Sequence, residues 1–128
     1  MRQVIYESVA TAPSAAALAQ DILRGARPFN GLNGVTGLLC ATADRFLQVL
    51  EGPDESVRLA LDRIRADDRH HRIDILSDRR IEARAFADWS MAYRDRGHPE
   101  GLLDERMRVL VADTPREIGE RFKRFVAA

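Results

Sequence analysis

The order in which short strands and amphipathic helices follow one another constrains this chain more than any single motif. QVIYESV, near the start, alternates and is rich in β-formers, which puts Val4, Tyr6 and Ser8 on one face of a first strand. TAPSAAALAQDILRGARPF reads as a helix with Ser14, or earlier Thr11, as its N-cap and Leu18, Ile22 and Ala26 at helical spacing. Small residues at Ala15, Ala16, Ala17 and Ala19 allow close packing, and Gly25 and Pro28 weaken the helix end. GVTGLLCA and RFLQVLEG are strands two and three, joined through TAD as a hairpin. Pro53, Asp54 and Glu55 open a second helix, whose stripe is Val57, Leu61 and Ile64. RHHRIDILSDRRI is an irregular strand four, and FADWSMAYR is strand five with Trp89, Met91 and Tyr93 on one face.

Through strand four the order is β-α-β-β-α-β, the ferredoxin-like arrangement, in an α+β class fold with an additional fifth strand. Strands one and three are expected to be central, parallel neighbours, with both helices on one sheet face. Two amphipathic helices follow. PEGLLDERMRVLV carries Leu103, Met107, Leu110 and Val111. TPREIGERFKRFV has Thr114, Pro115 and Glu117 as a capping box and a stripe of Ile118, Phe122, Phe125 and Val126. They either cap the open sheet face or form a subunit interface. The expected division is 1–94 for the sheet domain and 95–128 for the helical extension.

Strand three contains an oddity. Phe46, Gln48 and Leu50 share one face, and Leu47, Val49 and Glu51 the other. An amide buried there without partners costs roughly 1–3 kcal/mol, so Gln48 must have partners. Adjacent central strands would make Tyr6 one of them.

Composition excludes more than it selects. The 128 residues suit one domain, and 45% hydrophobic content is too high for disorder. Twenty basic residues, all but one arginine, balance 20 acidic ones, which gives no electrostatic case for nucleic acid or an anionic membrane. The lone Cys40 lies in an apolar run and reads as a core residue. The N-terminus lacks an export signal's apolar region, and no segment approaches the ~20 apolar residues of a membrane helix, so a cytoplasmic protein is expected. No P-loop, G-x-G-x-x-G, G-x-S-x-G or H-E-x-x-H motif is present, and an enzyme is not expected.

Four separated runs decide the reading. NGLNGVTGLL, RFLQVLEGP, DDRHH and FADWSM, in this order and spacing, resemble the BLUF family of flavin-binding blue-light sensors, over roughly Arg2 to Arg94. The remaining residues resemble the short helical extension of stand-alone members. The resemblance implies a flavin between the two helices: FAD, with FMN and riboflavin as alternatives. It implies Tyr6 as the photo-oxidisable tyrosine and Gln48 as the switching glutamine. Asn30 would bind the ring edge, and Trp89 and Met91 would respond to the switch. Asp67, Arg69 and His70 would lie near the ribityl side, with Ser8, Val9, Ile22, Leu39 and Phe46 as walls. The implied output is a contact with a downstream signalling protein or within a homo-oligomer. Two positions depart from the family pattern: Phe29, where a polar residue commonly stands, and Val9, smaller than the usual Leu.

Taken singly, each residue has a plainer reading. Tyr6, Trp89 and Met91 pass as core fillers, Gln48 as an amide paired with backbone, Asn30 as a turn residue. His70 and His71 lack metal-ligand spacing. Their joint occurrence favours the sensor over a light-independent ferredoxin-like module or an acylphosphatase-type hydrolase.

Overall fold

The computed structural model describes residues 1–11, 15–95 and 101–126. Ser14 and the side chains of Ala16, Leu103 and Val126 lie outside that description. The elements are β1 (Arg2–Ala10), α1 (Ala15–Asn33), β2 (Thr36–Ala41), β3 (Arg45–Gly52), α2 (Asp54–Ala66), β4 (His70–Arg80), β5 (Ala92–Arg94), α3 (Gly101–Ala112) and α4 (Arg116–Val126). One five-stranded sheet has the order β4-β1-β3-β2-β5.

β1 and β3 are indeed central neighbours, but they run antiparallel, not parallel as expected. The reason is connectivity. α1 carries the chain back so that β2 runs with β1, and the tight turn after Ala41 reverses β3, which inserts between them. Thr42 holds that turn: its N–H donates to the Arg45 carbonyl (3.0 Å) and its Oγ1 accepts from the Arg45 N–H (3.1 Å). The register sets Tyr6 directly opposite Gln48.

α1 does not stop near Gly25 and Pro28. Pro28 sits inside a helix that continues to Asn33, because its last turns bury Asn30 and half-bury Phe29. Asn33 Nδ2 donates to the Phe29 carbonyl (2.8 Å), and Gly34, at φ 69°, turns the chain out. A Cβ at Gly37 would lie 1.9 Å from the Val49 carbonyl oxygen. Only glycine fits there, and its N–H donates to the Trp89 carbonyl (3.2 Å), drawing the segment before β5 against the sheet.

β5 is shorter than expected, and Trp89, Met91 and Tyr93 do not share a face. Residues 86–91 are irregular, so strand alternation does not apply to them. Met91 and Tyr93 join the layer under α1 and α2, and Trp89 packs on the opposite layer. Val9 is likewise misplaced as a wall. Alternation along β1 sends Val4, Tyr6 and Ser8 one way, and Ile5 and Glu7 the other, and Val9 follows the second set.

Two apolar layers result. On one face Val4, Tyr6, Leu39, Phe46 and Leu50 meet Ala19 and Leu23 of α1 and Val57, Ala60 and Leu61 of α2. On the other, Ile5, Leu38, Cys40, Leu47 and Val49 meet Met107 and Leu110 of α3 and Ile118, Phe122 and Phe125 of α4. Thr114 does not cap α4, which begins at Arg116. Its hydroxyl donates to the Val111 carbonyl (2.9 Å) and closes α3 instead.

Candidate functional site

Between α1, α2 and the sheet lies an open-mouthed cleft of about 620 Å³, open solvent included. Its floor is Tyr6, Leu39, Phe46, Gln48 and Leu50. Ile22, Gly25, Ala26, Phe29 and Asn30 of α1 form one wall, and Ala60, Arg63 and Ile64 of α2 the other, with Asp67, Arg69 and His70 completing the lining.

The floor carries a hydrogen-bonded chain. Tyr6 Oη donates to Gln48 Oε1, and Gln48 Nε2 donates to Met91 Sδ (3.3 Å), all three side chains buried. A thioether is a weak acceptor, so the glutamine's N–H groups are under-used in a buried place. Asn30 Nδ2 donates to the Ser90 carbonyl (2.9 Å), and Arg27 Nε donates to the Met91 carbonyl (3.1 Å). The carboxamide oxygen of Asn30 is without a partner among the described residues. The cleft therefore pairs an apolar slot for fused rings with amide donors and an amide acceptor on its floor and wall. That donor set fits a flavin, whose ring edge carries both acceptors and donors. Gln48, Asn30 and Tyr6 would hold the edge, and Ile22, Leu39, Phe46 and Ile64 the ring faces.

At the mouth the polar groups satisfy one another. Arg69 grips both Asp67 oxygens through Nε and Nη2, and that hydrogen-bonded guanidinium holds the Asp67 carboxyl below the usual range. His70 lies 2.8 Å by Nε2 from the Ile64 carbonyl, which can only accept, so Nε2 carries the proton. In a neutral ring Nδ1 then accepts from Ser8 Oγ (2.7 Å). Ser8 does not line the cleft; it fixes His70, which does.

Both tyrosines are held protonated. Burial pushes the Tyr6 phenol far above the ordinary range, and the Asp67 charge adds to it. Burial also raises Tyr93, with Asp95 adding. The unfolded chain ionises its tyrosines near pH ~10 while the folded chain does not. This contribution to stability is complete below about pH 10 and is lost as pH rises toward the folded values. Phenolate absorbance is expected to appear only together with loss of far-ultraviolet circular dichroism. Phenolate at about pH 10 with the fold intact would contradict the burial.

Residues 1–92 match the family model of BLUF, sensors of blue-light using FAD. The chain belongs to the BLUF family. BLUF domains are flavin-based blue-light sensors, and the flavin of the family description is FAD. Over 93 residues the chain is 32% identical to photoactivated adenylate cyclase subunit alpha of Euglena gracilis, an alignment covering 71% of this chain and 9% of that protein. The chain thus spans about a tenth of the length of the curated relatives it matches. Among solved structures it is similar to BlrB, a BLUF protein in its dark state (29% identity, TM-score 0.71, 88% of this chain and 85% of that one). It is also similar to BlsA in its ground state (35% identity, TM-score 0.67, 72% and 62%).

Of the residues the BLUF resemblance singled out, Tyr6, Ile22, Asn30, Leu39, Phe46, Gln48, Asp67, Arg69 and His70 line the cleft. Met91 joins them through Gln48, whereas Trp89 lies behind the sheet. Arg106 of α3 holds the Trp89 segment there: it donates to the Ala85 carbonyl (3.2 Å) and to Asp88 (3.0 Å), and its guanidinium is 5.9 Å from the Trp89 ring centroid. Sequence reasoning missed Arg63, Ala60 and Glu51. An exposed helical arginine looks like any solvated one. The small residues Gly25 and Ala26 of α1 and Ala60 of α2, on facing helices, were the available sign of a slot. Glu51, fully buried, accepts from the Ala85 and Phe86 N–H groups (2.9 and 2.6 Å) and anchors the loop that leads to Met91. No helix among the described residues is long and apolar enough to cross a membrane.

Proposed function

We propose that this chain is a cytoplasmic blue-light photoreceptor. Its segment 1–94 holds FAD non-covalently in the cleft, and its segment 95–128 passes the light signal to a partner protein or a second copy. The observation that carries the reading is the buried chain Tyr6–Gln48–Met91 on the cleft floor. The bound flavin supplies blue-light absorption and, once excited, an oxidant.

Tyr6 is the electron donor. A buried phenol radical cation is costly to hold, so its proton leaves Oη together with the electron. Gln48 Oε1 is the acceptor in place, and a Gln48 N–H proton would pass on to the bound flavin that took the electron, which keeps the carboxamide neutral. The carboxamide of Gln48 has one acceptor and two donors. Rotation or tautomerism exchanges donor for acceptor toward the cleft and toward Met91 alike. The contact at Met91 Sδ is then lost, and the Ser90–Met91 backbone, tied to α1 by Asn30 and Arg27, is the next element to respond. Trp89 and its grip by Arg106 extend the route to α3. Output is a shift between two populated arrangements, not turnover. The apolar stripes of α3 and α4 are used against the chain's own sheet, so a second copy would dock elsewhere or displace them.

The test is spectroscopic. Protein loaded with FAD is expected to shift its absorption band to the red under blue light and recover in darkness. Gln48→Leu is expected to bind flavin and show no shift. Protein that takes up no flavin, or a Gln48→Leu variant with a normal photocycle, would sink the reading.

A further inference from the structure

Phe29 and Arg63 face each other from α1 and α2 beside the cleft that both line. The Arg63 guanidinium carbon lies 4.2 Å from the Phe29 ring centroid, a cation stacked on an aromatic face. A Cβ at Gly25, one turn before Phe29, would come within 4.0 Å of Arg63 Nη2. The guanidinium therefore rests over a notch formed by Gly25 and Phe29, reaching from one helix to the other. The other charged groups of the lining and its imidazole are engaged: Arg69 with Asp67, and His70 with Ser8 and Ile64. Arg63 pairs with no carboxylate among the described residues, so its position depends on the ring beneath it.

Resting on the flavin reading above, we infer that Phe29 is a positioning residue for Arg63, and that the stacked pair straps α1 to α2 and slows the release of bound flavin. Both residues line the cleft, so the strap holds its two helical walls together around a ligand and resists their parting. A polar residue at position 29 offers no such face, so the strap belongs to this sequence's departure from the family pattern.

The test is the dissociation rate of FAD from loaded protein in the dark, read as recovery of free-flavin fluorescence on dilution. Phe29→Leu keeps the bulk and loses the ring; Phe29→Trp keeps a ring. Phe29→Leu and Arg63→Gln are each expected to hasten release about three- to fivefold. The double variant is expected to be no faster than the faster single one, and Phe29→Trp to restore slow release. Release from Phe29→Leu or Arg63→Gln at the wild-type rate, or effects that multiply in the double variant, would overturn the strap alone. Arg63 is exposed, so its variant gives an answer even if Phe29→Leu folds poorly. Wild-type protein that binds no flavin would instead remove the proposed function, and the strap with it.

Discussion

Tyr6→Phe is expected to bind flavin and to lose the light-induced red shift completely. Phenylalanine fills the same space on the cleft floor, so the apolar layer of Val4, Phe46 and Leu50 stays packed. What disappears is one hydroxyl, and with it the proton directed at Gln48 Oε1. Phenylalanine is also a far poorer electron donor than tyrosine. The loss leaves the Gln48 oxygen buried without its donor, at a cost of roughly 1–3 kcal/mol. The variant should therefore unfold somewhat earlier on heating while remaining yellow. Difference spectra before and after blue light decide the matter, and a normal shift in Tyr6→Phe would rule out the donor assignment.

The second large effect concerns stability and lies on the opposite face of β1. Glu7 is 2% exposed, and Arg121 of α4 donates to its Oε2. Arg45 stands 3.6 Å from Oε1, and Asp74 3.9 Å from Arg121. The two partners are not equivalent, because Arg121 is over a third exposed. Removing the carboxylate's charge lets Arg121 turn to water, so Glu7→Gln should cost at most about 1 kcal/mol. Removing the arginine strands a buried carboxylate with Arg45 as its remaining neighbour, and Arg121→Ala should cost about 3 kcal/mol. The double variant should resemble Glu7→Gln. Denaturant midpoints of the flavin-loaded proteins test the asymmetry, and equal losses from the two single variants would show that Glu7 is better solvated than its burial indicates.

Much of the site was legible because its residues carry contradictions. Gln48 on an apolar strand face demanded a partner, and pairing of β1 with β3 delivered Tyr6 across the ladder. Strand direction was less legible. Neither alternation nor composition distinguishes a parallel from an antiparallel neighbour, and the antiparallel answer follows from counting chain reversals. Trp89 and Met91 were separable only in three dimensions. A period of two assumes regular strand, and the segment pinned by Glu51 at Ala85 and Phe86 is not one. Pro28 gave the opposite lesson: a strong local breaker yielded to the burial of Asn30 two residues later. Arg63 carried no sequence sign, since what distinguishes it is the aromatic ring on the neighbouring helix.

β1 is a partition a single peptide thick. Tyr6 looks into the chamber between α1 and α2, and Glu7, about 3.8 Å further along the backbone, looks into the one closed by α4. Because the two residues share a peptide plane, a tilt of that plane registers in both chambers at once. A disturbance at the phenol thus has a neighbour on the far side of the wall, one bond group away, independent of the longer path around the sheet edge through β5.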